Sequence, residues 1–459
     1  METTLGIISK KYYEEALDKL ISFLKINSIY DEKTISEDAP FGKGVKEALD
    51  YIASLALENG FNVDYCDHYC TEISYGEGKL LDIYAHADVV PVSADWVHSP
   101  FEPVIENGKL YARGSSDDKG PAIAAFYALK MLKDLDLIKG YKVRLVIGGN
   151  EERGSACLEH YFHSLHKEYP SYGFTPDGDF PLIYGEKGIF TYVAKYEIGD
   201  RSIPNFEFGE ATNIVLADAS ISLDDKDLED FVNRYQAEHK EVKLTLEGNK
   251  VIFKGRACHG SLPWEGVNAG LHLLNFLGDI KDNKVLRKIF VDYEKGDGKA
   301  FNGDYKSKYF DSSSYCIGKM KYEDGVLSFF VNMRLPENVT SEVAIENVKN
   351  MTKADEVKYL GGSEALLVDP ESNLIKLLLQ AYQEETNDYE SKILAIGGGT
   401  YARESKNSVA FGCCFPGVDN KIHDNDEFIN IDEFNKSIAI YAHGILSLGQ
   451  DLAKDKRWD

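Results

Sequence analysis

Long apolar runs are missing from this chain: no stretch reaches the roughly 18 consecutive apolar residues that a membrane span needs. Positive charge is scarce. Lys and Arg total 51 against 76 Asp and Glu, a formal charge of −25. That balance excludes the basic footprint of a nucleic-acid binder, and an anionic membrane surface would repel it. Residues 1–20 hold no basic segment followed by an apolar core, so no secretory leader is expected. The seven cysteines are odd in number and scattered over 459 residues, which is not a disulfide framework. The expected setting is therefore reducing and cytoplasmic, with no nucleic-acid and no membrane partner. Low-complexity linkers and convincing internal repeats are also absent. What is present is ordinary globular composition, 43% hydrophobic and 28% charged, long enough for about two to four domains.

Apolar spacing predicts amphipathic helices over residues 10–27 and 43–58. Strand patterns follow at 61–66, 73–75 and 80–85. A helix over 118–135, a buried strand at 142–147, a helix over 155–166 and a strand ending near Phe174 complete an α/β segment. From about Gly188 the texture becomes α+β, with strand-like runs at 189–196, 242–246, 251–254 and 326–331. The α/β texture resumes with a helix at 371–386, strands at 392–396 and 409–413, and a helix at 432–449. The reading is a catalytic domain in two parts, residues 1–187 and 387–459, with an inserted lid domain over 188–386. In a mostly parallel sheet, ligands gather at the carboxyl ends of the strands.

Candidate chemistry clusters at those ends. His86 and Asp88 share a face of an extended segment, suiting a metal-binding imidazole and an orienting carboxylate; a plain His–Asp hydrogen bond is the alternative. Asp117 and Asp118 lie in a glycine-flanked turn. They read either as a helix N-cap or as a shared anion between two cations, with Asp117 the better bridge. Glu151 and Glu152 are adjacent carboxylates that read either as a solvated helix start or, with better chemical sense, as divided roles, one coordinating and one moving a proton. Asp177 and His423 would pass alone for a turn residue and a surface histidine. The weight lies in the set, whose two imidazoles and several carboxylates suit Zn²⁺, with Mn²⁺ or Co²⁺ as alternatives. The glycine run at 397–399 lacks the Lys-Ser/Thr of a phosphate loop, and reads as a tight turn open to a substrate carboxylate. His160, His163 and His166 read as a solvated helix face, and Cys66, Cys70, Cys413 and Cys414 as structural thiols.

The segments HADVVP, ARGSSDDKGP, NEERGS, TPDGDFP, ACHGSLPWEG, IGGGTYARE and IHDNDEF resemble the di-metal peptidase family of aminoacylase, carboxypeptidase G, succinyl-diaminopimelate desuccinylase and carnosinase. Within it they are most similar to the peptidase V type dipeptidases, over essentially the whole chain. The resemblance implies a phosphorylase/hydrolase-like α/β catalytic domain and an α+β lid built from two ferredoxin-like halves. Such a lid mimics the dimer contact used elsewhere in the family, which implies a monomer. It further implies two divalent metal ions, one held by His86 and Asp177, the other by Glu152 and His423, with Asp117 bridging. Glu151 becomes the general base, Asp88 orients His86, and His259 polarises the scissile carbonyl. Asn213, Arg334, Gly398, Gly399, Thr400 and Tyr401 become substrate contacts. The implied activity is hydrolysis of dipeptides or other very short peptides. An N-acyl amino acid deacylase on the same fold is one alternative, and a metal-stabilised binding protein without turnover is another, which an unligated Glu151 argues against.

Overall fold

The computed structural model describes residues 2–454. They form two compact units: one comprises the chain up to Gly185, Val368–Leu394 and the chain from Thr400; the other comprises Glu186–Leu367 with Ala395–Gly399.

The first unit is built on a mixed sheet. Its centre is parallel. Lys79–His86 pairs with Tyr141–Gly148 on one side and Tyr172–Thr175 on the other, and Ser408–Ala410 pairs with Tyr172–Thr175. Antiparallel strands Cys70–Gly76 and Asn62–Asp64 extend one margin. The central strands are apolar on both faces because helices cover both. Helix Lys119–Asp134 is buried nearly all round, with Ala122, Ala124, Ala125 and Ala128 permitting close approach. Helices Lys43–Glu58 and Ile431–Lys454 each bury an apolar stripe. Two buried charged side chains of this core show how it accommodates them. Arg144 lies in register beside Asp82 on the neighbouring strand and grips it with two hydrogen bonds, at 2.8 and 2.6 Å. Lys119 is fully buried and donates to the Ile26 carbonyl at 2.7 Å; burial drops its pKa to about 7.

The second unit has its own apolar core and two antiparallel sheets. Five strands run in the order Phe206–Phe208, Ser314–Glu323, Val326–Leu335, Gly188–Glu197, Glu356–Ser363, and three in the order Asp218–Ser222, Lys250–Lys254, Lys243–Glu247. Alternating strand burial, as in Asp218–Ser222, matches sheets with one packed face.

Several expected boundaries move. The expected lid end at 386 falls inside the first unit, because helix Asn373–Thr386 buries Leu374, Ile375, Leu378, Ala381 and Tyr382 in that unit's core. The short stretch 395–399 groups with the second unit instead, where the Lys187 amide donates to the Ile396 carbonyl. The helix expected over 155–166 splits into an α-turn, Ala156–Glu159, and a π-turn, His160–Ser164. His160 there bonds Asp67 at 3.0 Å and stacks on Tyr69.

Candidate metal centre

Parallel register brings three strand ends to one edge. His86 ends Lys79–His86 opposite Gly148, which ends Tyr141–Gly148, and Tyr172–Thr175 stops two residues before Asp177. The turn Glu151–Arg153 follows Tyr141–Gly148 directly. Asp117 and His423 arrive by another route. They sit in turns beside a small antiparallel sheet of Val104–Glu106, Lys109–Tyr111 and Phe428–Asn430, so the strand-end rule does not account for them.

These groups converge. Asp117 Oδ1 lies 2.8 Å from His86 Nε2, and its Oδ2 lies 2.8 Å from His423 Nε2. His423 Nε2 is 3.1 Å from Glu152 Oε1, and His86 Nε2 is 3.9 Å from Asp177 Oδ2. In two sets, His86–Asp117–Glu152 and His86–Glu151–Asp177, the donor atoms all lie within 4.8 Å of one another. Asp117 therefore points one oxygen at each imidazole, the disposition a bridging ligand needs.

The electrostatics say what the cluster wants. Burial opposes charge on Asp117, but the hydrogen bonds of His423 and His86 outweigh it and hold its carboxyl well below the usual range. Burial pushes Glu152 up to about 7, reinforced by Asp117. Asp177 rises to about 7 for the same two reasons. Glu151 is raised well above normal by burial and by Asp177 and Glu152. Burial disfavours a charged His423, yet Asp117 and Glu152 carry it to about 11. Close-packed carboxylates thus compete for protons, and a cation would take their place. Imidazole and carboxylate donors together fit Zn²⁺, Mn²⁺ or Co²⁺.

Asp88 does more than expected, by another atom. His86 Nδ1 meets the Asp88 backbone carbonyl at 2.9 Å, while the Asp88 carboxylate is 3.5 Å away. That carboxylate accepts instead from the backbone amides of Glu151 and Glu152, at 3.1 and 3.2 Å. Asp88 therefore orients the ring by its main chain and holds the Glu151–Glu152 turn by its side chain. Asp118 departs from the N-cap reading: it makes no capping bond, and its Oδ2 accepts from the His86 amide at 3.0 Å.

Sequence reasoning assigned no role to Glu427. This fully buried carboxylate accepts from Arg113 Nη1 at 2.7 Å, and from the amides of Gly114, Ser116 and Asp117 at 3.2, 2.9 and 3.1 Å. It thereby fixes the turn that presents Asp117. The available signal was an acidic residue standing directly before the apolar pair Phe428-Ile429.

Three of the expected substrate contacts, Tyr401, Arg334 and Thr400, make contacts within the protein. Tyr401 is fully buried, its ring edge-on to His86 at 5.9 Å and its hydroxyl 2.9 Å from Cys157 Sγ. It packs beneath the centre instead of facing a substrate. Arg334 is 3% exposed and donates to Asn332 Oδ1 at 2.8 Å and to the Gly397 carbonyl at 2.6 Å. Thr400 caps the turn Tyr401–Glu404 through the Ala402 amide. In the second unit Asn213 and His259 are neighbours, since the Gly260 amide donates to the Asn213 carbonyl at 2.7 Å. Gly397 lies against Ser261 in the same unit, and Gly398 and Gly399 follow it there.

The model of "Peptidase family M20/M25/M40" matches residues 83–447. A Bacillus subtilis (strain 168) protein named "Putative dipeptidase YtjP" is 34% identical over 98% of this chain and 100% of its own. A Staphylococcus aureus (strain MRSA252) protein, "Putative dipeptidase SAR1836", is 34% identical over 96% of this chain and 98% of its own. Among solved structures, the dipeptidase Dug1p of Saccharomyces cerevisiae shares the fold at a TM-score of 0.61 and 13% identity, covering 98% of this chain and 99% of that one. Human carnosine dipeptidase 1 does so at 0.58 and 14%, covering 97% and 98%. With the family model spanning the segment that holds every residue of the centre, this chain belongs to peptidase family M20/M25/M40.

Proposed function

We propose that this chain is a metallo-dipeptidase that hydrolyses the amide bond of dipeptides and other very short peptides, with Glu151 as general base. The observation that carries the reading is the pairing of a bridging-type carboxylate, Asp117 between His86 and His423, with an adjacent glutamate held by its backbone to Asp88. The full-length relatives named as dipeptidases support it. His86 and Asp177 are assigned to one divalent cation, Glu152 and His423 to a second, and Asp117 to both. When bound, such cations polarise a carbonyl and bring the pKa of a water towards neutrality.

The remaining work falls to the protein. Glu151 accepts the proton that the attacking water loses and delivers it to the leaving amine nitrogen. Its burial among other carboxylates raises its affinity for that proton. The Asp88 carboxylate fixes the backbone of Glu151, so the base cannot drift from its neighbour Glu152. On the second unit His259 is assigned to the developing oxyanion, and Asn213, Gly398 and Gly399 to substrate polar groups. Arg334 is assigned to holding the glycine turn through Gly397. We place the enzyme as a monomer in a cytoplasmic, reducing setting, which its seven free cysteines support.

The test is a panel of free dipeptides and their N-acetylated counterparts, before and after chelation. Free dipeptides should be hydrolysed, activity should vanish on chelation, and Zn²⁺ or Mn²⁺ should restore it. Glu151→Gln should keep its metal content and lose about 10²–10⁴-fold in turnover. Preference for the acetylated series would make the chain a deacylase, and a metal-loaded protein inert towards both would refute hydrolysis.

A further inference from the structure

The second unit holds a side-chain cluster that hydrolysis does not use. Helix Leu228–Glu238 ends at His239, Glu241 follows just ahead of strand Lys243–Glu247, and His272 lies in the first turns of helix Ala269–Ile280. His239 Nδ1 is 3.2 Å and His272 Nε2 is 3.6 Å from one and the same oxygen, Glu241 Oε1. The three donor atoms lie within 4.8 Å of one another. Tetrahedral coordination at about 2.0–2.2 Å sets donors roughly 3.3–3.5 Å apart, and the two spacings to Glu241 bracket that range.

His272 is 2% exposed, and its ring is held by a hydroxyl. The Tyr235 hydroxyl lies 3.1 Å from both the His272 carbonyl and His272 Nδ1 and accepts from Asn275 Nδ2 at 3.2 Å; when its one proton goes to the carbonyl, its oxygen accepts from Nδ1. With the proton on Nδ1, the neutral ring presents a bare lone pair at Nε2, and that lone pair faces a carboxylate oxygen. Two acceptors so placed repel unless a cation lies between them. An imidazole steered by an outer hydroxyl, with its other nitrogen aimed at further donors, is arranged as metal-binding histidines are.

Neighbouring basic groups are engaged elsewhere: Arg256 Nε donates to the Glu265 carbonyl at 2.8 Å, and Lys295 pairs with Glu294 at 3.1 Å. A cavity of about 210 Å³, lined by Glu241, His272 and Trp264 among others, adjoins the cluster and leaves room for water as a further ligand.

We propose that His239, Glu241 and His272 form a separate divalent-metal site of zinc type, which ties the end of helix Leu228–Glu238 to helix Ala269–Ile280. Two imidazoles and one carboxylate favour Zn²⁺ over Mg²⁺ or Ca²⁺. The test compares the full-length wild type with Glu241→Gln and His239→Ala, both at partly exposed positions. Each protein is stripped of metal, equilibrated with Zn²⁺, desalted and assayed for bound zinc. Wild type should retain one equivalent more than either variant, with dipeptide turnover the same in all three. Asp117→Ala should keep that equivalent, which separates it from the cluster in the first unit. Equal zinc in wild type and both variants would overturn the proposal, as would displacement of the extra equivalent by Mg²⁺ at matched concentration. A fall in turnover parallel to the lost zinc would overturn its separateness from hydrolysis.

Discussion

Four donors, from Arg113, Gly114, Ser116 and Asp117, converge on the two oxygens of Glu427. No other residue outside the cluster grips the Asp117 turn so completely among the described residues. Burial pushes the Glu427 carboxyl up and Asp117 adds to this, but Arg113 and the amides work the other way. A glutamine in its place sets an NH₂ against donors and leaves the nearly buried Arg113 without its counter-ion. Losing one partner of a buried pair costs about 3–5 kcal/mol, so Glu427→Gln should melt earlier. Its more specific effect should be on metal: outer partners of metal ligands typically contribute 10–100-fold in affinity. Zinc titration well below the melting temperature should show a loss of about that size. A folded Glu427→Gln with wild-type affinity would mean that Asp117 holds its place unaided.

At the scale of elements, legibility followed the physics of each segment. Buried parallel strands announce themselves as apolar runs, and what stands just beyond them lies at the ligand-binding edge. His86, Glu151, Glu152 and Asp177 were readable on that ground. Asp117 and His423 were not, since their turns lie beside a small antiparallel sheet with no distinctive pattern: Asp117 was legible only as one of two carboxylates in a glycine-flanked turn, bridge or N-cap, and His423, by itself a surface histidine, only through the set. Tyr401 was expected at the substrate only because the motif resemblance implies it, and residue type gave no warning of its burial: the turn Tyr401–Glu404 folds inward and buries the ring. That packing is tight. A Cβ on Gly148 would stand 2.2 Å from the Tyr401 hydroxyl and 2.9 Å from Cys157 Sγ. Gly148→Ala should therefore displace Tyr401 from under His86 and destabilise the protein by about 1–3 kcal/mol, as overpacking does. Denaturant unfolding checks the size, and Gly148→Ala combined with Tyr401→Phe should recover part of it. No recovery in the double variant would place the strain elsewhere.

For the molecule as a whole, every group proposed to hold the catalytic metals lies in one of two units, each with a core of its own. Metal removal should thus be felt unevenly, and its pH dependence follows from the charge pattern. Glu152 and Asp177 are raised to about 7 and His423 to about 11. All three bind protons more tightly in the folded chain than unfolded, so the stability they contribute is present at low pH. It is lost as pH rises, through about 7 for the carboxyls and towards 11 for His423. Asp117 shifts the opposite way, but its titration lies at acid pH, outside this window. The chelated protein should therefore weaken between pH 5 and pH 9. Overall charge pushes in the same direction, since a formal −25 gives self-repulsion that grows as protons leave. The two causes separate by location. Hydrogen-exchange protection, taken relative to the intrinsic rate at each pH, should fall in the chelated protein at residues 113–118 and 150–154, while strand Val326–Leu335 in the second unit keeps its protection. Restored metal should reverse the local change, and reverse it most at high pH, where no proton competes for the donors. Protection that falls equally in both units would assign the pH effect to net charge, and leave the carboxylates around His86 without the strain that a cation relieves.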